Sequence, residues 1–330
     1  MAREKYLKRS SFVSSVAATG AVSALGLPAQ AQAGTKILVG YWPITAALPF
    51  FVSVKQGYFK AAGVDVELVK FADQVKVTEA LLAGRINATA TGTGSTQLAV
   101  AEIAQPNLFK ILGANLSNEK SILDEVIVAK GAPYKKISDL KGKKFATGVG
   151  PQAMVEAKRI LVKNGITDVT PIELSPAQHV AAVVSGQVDA AYTYEPNGTV
   201  GRVAGTIEVL ESGVRAKYLL GDGLASWYGG AAVMSTEMIA KDPVAVKKYI
   251  IGMKRGFDHV RKNLNDARLA YLDYTTYDTK LVEAFPPILY TLYDEFNAKE
   301  TSYFQDNYDL FYNEKILSRK LSVASMLYKA

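Results

Sequence analysis

The chain has 330 residues, 49% hydrophobic and 21% charged, a globular balance that excludes a disordered chain and gives enough length for two lobes. It contains no cysteine, which excludes disulfides, thiol chemistry, cysteine metal ligands and a lipid-anchoring cysteine. The formal charge is +7, but residues 1–33 hold four basic residues against Glu4 alone. The excess left for the remainder is too mild and scattered to indicate nucleic acid, and composition implies no cofactor.

Residues 1–33 read as an export signal. Arg3, Lys5, Lys8 and Arg9 precede an uncharged stretch over 10–27, which leads to Ala31-Gln32-Ala33. Lys8-Arg9-Ser10-Ser11-Phe12 is close to a twin-arginine pattern with lysine in the first place, and a general secretory signal fits equally well. No later segment has about 18 consecutive apolar residues. The exported chain is therefore expected free in the periplasm.

From residue 36 the pattern is strand, loop, helix, strand. Residues 37–40 form a short apolar run that breaks at Gly40-Tyr41-Trp42-Pro43, and a helix is expected over 46–56 with Gly57 as its stop. Val64, Val66 and Leu68 alternate with Asp65 and Glu67, as in a strand with one wet face. A helix over 73–83 and a buried strand over 86–91 follow. Further on, Ser175-Pro176-Ala177-Gln178 is a capping box opening a helix that ends at Gly186, before a strand over 188–192.

The stretches 84–91 and 186–193 share one design of helix stop, turn and strand, and 143–151 repeats the opening of 36–43. A spacing of about 105 residues is too long for a solenoid and suits a duplicated β-α-β-α-β lobe. The expected organisation is 34–125 plus 231–330 as lobe 1 and 126–230 as lobe 2. Strand-like segments 125–130 and 226–234 would carry the chain across and form a hinge. Asp242-Pro243 should cap a long amphipathic helix to about residue 263, and another helix is expected over 278–297. The aromatics between Tyr290 and Tyr312 read as packing residues.

Ligands of open α/β sheets sit beyond the carboxyl ends of strands. Four loops should therefore converge: 40–45, 91–97, 148–153 and 192–197. Thr91-Gly92-Thr93-Gly94-Ser95-Thr96 joins glycines, hydroxyls and helix-start N–H groups, the ingredients of an anion site; an N-cap with a glycine-rich turn fits the same residues. Gly148-Val149-Gly150-Pro151-Gln152-Ala153 with Glu173 matches a dinucleotide fingerprint, but Pro151 removes an N–H that a pyrophosphate would use. Tyr192, Tyr194 and Glu195 stand where the first half has Ala90, Gly92 and Thr93, so one wall is aromatic and the other small and hydroxylated. Glu195 before Pro196 also suits a helix-start carboxylate. His179 and His259 lack metal spacing and read as helix-surface residues. Metalloprotease, nucleophile-elbow and Walker motifs are all missing from the sequence.

These residues together resemble the substrate-binding proteins of ATP-driven importers for nitrate, sulfonates and taurine, a family that also includes binders of pyrimidine precursors. The resemblance spans 36–265. It rests on Gly40-Tyr41-Trp42-Pro43 with Gly57-Tyr58-Phe59, on Ala80-Leu81-Leu82-Ala83-Gly84, on Asp139-Leu140-Lys141-Gly142-Lys143-Lys144, and on Ser185-Gly186-Gln187-Val188-Asp189-Ala190-Ala191 with Glu195-Pro196. It implies an α/β, two-lobed periplasmic binding protein of type II, each lobe a mixed sheet flanked by helices, with two crossover segments as a hinge. It also implies a monomer without catalysis, cofactor or metal, which delivers its solute to a membrane permease and its ATPase subunits. The ligand loops of the family map onto Tyr41, Trp42, Thr45, Thr93, Ser95, Gln152, Tyr194 and Glu195, with Trp227 and Tyr228 near a crossover. Where the family often has Trp-Glu-Pro, this chain has Tyr194-Glu195-Pro196. The four loops carry no Arg or Lys, which favours an organic anion, a sulfonate or a carboxylate, aromatic ones included, over a small hydrated anion such as nitrate. The alternative is an enzyme on the same fold; pyrimidine synthases of this resemblance use a cysteine-rich motif, and this chain has no cysteine. A sensor subunit is a third reading.

Overall fold

Alternation of apolar residues builds two sheets in a computed structural model that describes residues 35–330. The expected export signal lies outside the described residues. In β1 (Lys36–Tyr41) Ile37 and Val39 face one core and Leu38 the other. The chain then makes a tight turn at Thr45–Ala47 and enters α1 (Leu48–Lys55) and α2 (Tyr58–Ala61), with Gly57 left-handed between them as the expected stop. β2 (Asp65–Lys70) returns parallel to β1 on its outer edge. α3 (Gln74–Leu82) is capped by Asp73, whose carboxylate accepts from Lys76 N at 2.9 Å. β3 (Ala88–Thr89) pairs parallel with the other edge of β1. β4 (Thr93–Gly94), α4 (Ser95–Ala104) and β5 (Phe109–Ser117) complete the first pass through this sheet.

The second half repeats the plan. β6 (Asp124–Ala129), β7 (Phe145–Thr147), α5 (Pro151–Lys163), β8 (Ile172–Glu173), α6 (His179–Val184), β9 (Ala190–Tyr194), α7 (Asn197–Val203) and β10 (Ile207–Ser212) make a five-stranded sheet of order β10-β6-β9-β7-β8. The chain then returns as β11 (Trp227–Ser235) to the first sheet, order β12-β5-β11-β3-β1-β2, with β4 paired to β11. The two sheets share a four-strand plan. β2-β1-β3 and β8-β7-β9 are parallel triplets, and each is followed by an antiparallel strand, β11 or β6, delivered from across the molecule.

This correspondence corrects the expected crossovers. Segments 125–130 and 226–234 are internal strands because their runs, Val126-Ile127-Val128 and Ala231-Ala232-Val233-Met234, are fully buried, too apolar for a connector. The chain crosses instead at 118–123 and 213–226. Those two segments touch: Glu119 N donates to Gly223 O at 3.0 Å, and left-handed Gly213 packs so closely on Asn118 that a Cβ would lie 2.8 Å from the Asn118 carbonyl carbon.

The C-terminal part is helical apart from one strand. It runs α8 (Thr236–Lys241), α9 (Pro243–Lys262), α10 (Leu264–Arg268), α11 (Tyr271–Tyr274), α12 (Thr279–Ala284), β12 (Leu289–Leu292), α13 (Ala298–Asn313) and α14 (Val323–Met326). The helix expected over 278–297 stops at Ala284, because Pro286-Pro287 cannot continue it, and the chain adds β12 to the sheet edge beside β5. Among the described residues no helix is long and apolar enough to cross a membrane.

α9 fixes α1 and α2 to the sheet by close approach. Gly252 sits on Phe59 and Gly256 on Ser53 and the Pro49 carbonyl, where an added Cβ would collide with Ser53 Oγ and with Pro49 backbone. Gly256→Ala is expected to destabilise the fold by about 1–3 kcal/mol or more, since backbone cannot yield as a side chain would. A denaturation midpoint equal to that of the parent chain would show that the contact is soft.

Candidate functional site

The loop after β1 turns two aromatics in different directions. Tyr41 packs edge-on to Phe51, ring centroids 5.1 Å apart, and belongs to the core. Trp42 stays half-buried at the loop and donates its indole N–H to the Gly92 carbonyl at 2.9 Å. Thr45 is buried; its carbonyl accepts from Tyr271 at 2.6 Å while its hydroxyl has no protein partner.

The glycine-rich loop is spent largely on itself. Gly92 N donates to Asn115 Oδ1 at 2.8 Å, Thr93 Oγ1 to the Ala90 carbonyl at 3.0 Å, and Ser95 Oγ to the Tyr228 carbonyl at 2.8 Å. Ser95 and Thr93 therefore act as braces, each with its one hydroxyl proton spent on a carbonyl and none left to donate to an anionic head group. The free polar atoms lie one turn on: Thr96 Oγ1 and Gln97 Oε1 have no partner, and Gln97 and Gln74 crowd so close over Gly94 that a Cβ there would collide with both.

On the five-stranded side, α5 and β9 meet at Glu156. This fully buried carboxylate accepts from Gln152 Nε2 at 2.9 Å, Tyr192 OH at 2.7 Å and Tyr194 OH at 3.2 Å. Arg215, from the second crossover, completes the cluster. Its Nε donates to Tyr192 OH at 2.6 Å and lies 3.4 Å from Glu156 Oε2 and 3.7 Å from Asp124 Oδ1, and its guanidinium carbon stands 4.6 Å from the centre of the Tyr194 ring. Burial opposes the charge on Arg215, but Glu156, Tyr192 and Asp124 outweigh it and raise its pKa well above the ordinary range. Burial pushes both Tyr192 and Tyr194 up, so they donate as neutral phenols.

The far end of Arg215 is free. Nη1 and Nη2 donate to no described residue, and Nη1 lies against Gly229 of β11, where any Cβ would collide with it. Gly230 is paired with Gly94 across the β11-β4 contact. The guanidinium tip from the second crossover thus meets the glycines at the start of β11, with Tyr194 beneath it. Only 8% of the side chain is exposed, so a charged fork sits in a narrow seam where water competes poorly.

Tyr41, Tyr228 and Glu195 are turned elsewhere. Tyr41 packs in the core, and Tyr228 lies on Phe304 with its hydroxyl on Thr291 Oγ1 at 2.7 Å. Trp227 packs on Phe311, but its indole N–H has no partner and lies beside Gly229, next to the Arg215 tip. Thr45 sits under α11. Glu195 is consumed by Arg202 at 2.6 Å and by Thr199, whose hydroxyl and N–H donate at 3.0 and 3.2 Å; the helix-start alternative is the one seen. His179 is fully buried rather than on a surface, with Nε2 3.1 Å from the Leu174 carbonyl, and burial lowers its pKa. Gly150 N donates to Glu173 at 3.1 Å, so the acidic residue of the dinucleotide-like pattern closes its own loop. Trp42, Gln152 and Tyr194 remain at the seam.

The described residues include no group of three or more His, Asp or Glu placed to hold a metal ion. The family model described as NMT1/THI5 like matches residues 44–267. The chain belongs to the NMT1/THI5-like family. A putative aliphatic sulfonates-binding protein of Escherichia coli K12 is 25% identical over 276 residues, 80% of this chain and 79% of that protein. A yeast 4-amino-5-hydroxymethyl-2-methylpyrimidine phosphate synthase, from Saccharomyces cerevisiae, is 23% identical over 252 residues, 72% of this chain and 70% of the enzyme. The crystal structure of the periplasmic aliphatic sulphonate binding protein SsuA of E. coli superposes with a TM-score of 0.71 at 20% identity, covering 89% of this chain and 92% of that one. The fold is thus that of the periplasmic binding proteins, α/β with two mixed sheets flanked by helices.

A second buried cluster joins β6 to α7. Glu125 and Glu195 share Arg202, with Arg202 Nη1 2.6 Å from Glu125 Oε2. Burial first, then the Glu195 charge, push the Glu125 carboxyl up to about 7 against the pull of Arg202. The folded chain therefore holds this proton more tightly than the unfolded one. Its stabilising contribution is complete below the ordinary value of 4.5 and is lost as pH rises through about 7. Unfolding free energy measured in urea should fall over that window, and Glu125→Gln should flatten the fall; an unchanged slope in the variant would assign it to another group.

Proposed function

We propose that this chain is a periplasmic solute receptor of an ATP-driven importer, closing two lobes over a small organic anion with a sulfonate or carboxylate head. One lobe is built on the seven-stranded sheet and the other on the five-stranded sheet, hinged at 118–123 and 213–226. The observation that carries the reading is the free fork of Arg215 against Gly229. A guanidinium with two unspent N–H edges, aimed from one sheet at the other, suits a planar or trigonal oxyanion held as the lobes meet. Trp42 and the Tyr194 ring offer apolar faces for the body of the ligand, and Gln97, Gln74 and Gln152 offer neutral amides around it. Similarity to a protein named for aliphatic sulfonates supports this ligand class.

In this reading the export signal at 1–33 brings the chain to the periplasm, where it acts as a monomer and hands the solute to a permease with ATPase subunits. No bond is made or broken; ligand shifts the population from open to closed. The relation to the yeast synthase supports a second reading, a biosynthetic enzyme. Recovery of bound ligand chemically unchanged, by mass spectrometry after prolonged incubation, decides for the receptor.

Thermal unfolding against a panel of sulfonates, carboxylates, nitrate and pyrimidines tests the proposal. A ligand at about 100 times its dissociation constant adds about 2.7 kcal/mol, a shift of several degrees. Arg215→Lys keeps a cation between Asp124 and Glu156 but loses the fork, and should weaken binding of the responding anion about 10-fold or more. Equal affinity in that variant would remove Arg215 from the site. Small-angle scattering should show compaction at saturation, and an identical profile would count against closure.

A further inference from the structure

We infer that the cleft sorts its ligands by charge, accepting a singly negative head group and refusing a doubly negative one, because Arg215 is backed by two fixed carboxylates. The inference rests on the proposed receptor reading and concerns the same seam.

Arg215 does not present an unbalanced positive charge. Glu156 and Asp124 are both fully buried, 3.4 and 3.7 Å from its Nε, and both are tied in place. Glu156 holds Gln152, Tyr192 and Tyr194. Asp124 accepts from the Arg215 backbone N–H at 3.0 Å and from Ser117 Oγ. One cation with two carboxylates leaves a formal sum of −1 behind the free Nη edges. The other buried charged cluster pairs two acidic side chains, Glu125 and Glu195, with the single cation of Arg202. Among the described residues, those named on the facing side bring no compensation: Gly229, Gly230 and Gly94 carry no side chain, and Trp42, Gln74, Gln97, Asn115 and Trp227 are neutral.

A monoanion gains the two charge-assisted hydrogen bonds of the fork and stays farther from the carboxylates than from the guanidinium. A second negative charge finds no further cation and meets the net negative surroundings at low effective dielectric. The carboxylates thus do more than hold Arg215 in place: they set which charge state of a head group the fork accepts. Glu156 is the specificity-determining residue, since it touches three site side chains at once.

The test uses two ligands of one shape, butane-1-sulfonate, which stays singly charged, and butylphosphonate, whose second proton leaves within the range studied. Calorimetric titration of the wild-type protein from pH 6 to 9.5 is expected to give a steady affinity ratio while the phosphonate is a monoanion. The phosphonate should then weaken about tenfold per pH unit relative to the sulfonate once the dianion predominates. Glu125, which titrates in the same window, acts on both ligands, so the ratio is the readout. A ratio that does not change with pH overturns the charge filter while leaving the anion receptor standing. Failure of both ligands, and of every other anion in the thermal panel, overturns the receptor reading and the filter together. Glu156→Gln, which keeps the size of the side chain, should narrow the discrimination at pH 9.5 to within about threefold; discrimination undiminished in the folded variant would remove Glu156 from this role.

Discussion

The buried ion cluster of Asp124, Glu156 and Arg215 is the constraint on which the middle of the molecule depends. Three charged groups out of water are costly, and such clusters persist only where their geometry leaves little unsatisfied. Here the satisfaction is structural. Asp124 opens β6 and takes a backbone N–H from the second crossover and a hydroxyl from Ser117 at the end of β5. Glu156 joins α5 to β9 through Gln152, Tyr192 and Tyr194. The cluster therefore pins both crossovers and the cleft wall to one another. Removing one member leaves a buried charge unpaired, typically at a cost of about 3–5 kcal/mol. Arg215 alone has donors to spare, and those donors point at the other sheet.

The duplicated topology explains why this point is where the sheets meet. Each sheet receives its antiparallel strand from across the molecule, β11 in one and β6 in the other. The residues flanking the crossovers thus begin or end strands that are buried on both faces: Val126 and Val128 face one core and Ile127 the other, while Ala231 and Val233 oppose Ala232 and Met234. Those strands cannot slip by one residue without flipping their side chains, so 118–123 and 213–226 are the segments that carry the chain from one sheet to the other. Gly229 and Gly230 make the seam shallow. Gly230 packs on Asn115 and on Gly92, with a Cβ position only 3.0 Å from Gly92 Cα.

Much of the fold was legible because its signals are local. The β1-α1-β2 unit, the stop at Gly57, the Ser175-Gln178 capping box and the long α9 opening at Asp242-Pro243 each depend on neighbours within a few residues. The repeat was legible for the same reason, since it is a pattern of stops and strands. Non-local partners hid the rest. Glu195 looked available in a strand-end loop until Arg202 and Thr199, both C-terminal to it on α7, claimed it. Trp227 and Tyr228 were mapped near a crossover as ligand residues, and rings of α13 pack on both. The helix expected over 278–297 ignored Pro286-Pro287, a local signal within the sequence itself.

Arg215 was missed for a different reason. The search for a site followed loops that lead from strands to helices, and Arg215 lies in a crossover between sheets, 91 residues from Asp124 and 23 from Tyr192. The four loops alone carry no cation and one carboxylate, Glu195, whereas the folded seam holds one cation and two carboxylates. The i,i+4 spacing of Gln152 and Glu156 on α5 was a usable hint, because it puts an acid one turn behind a loop residue. That acid changes the nature of the site. A lone arginine would attract any anion in proportion to its charge, but an arginine held between two carboxylates favours the form of a ligand that brings a single negative charge and hydrogen-bond acceptors in the plane of the fork.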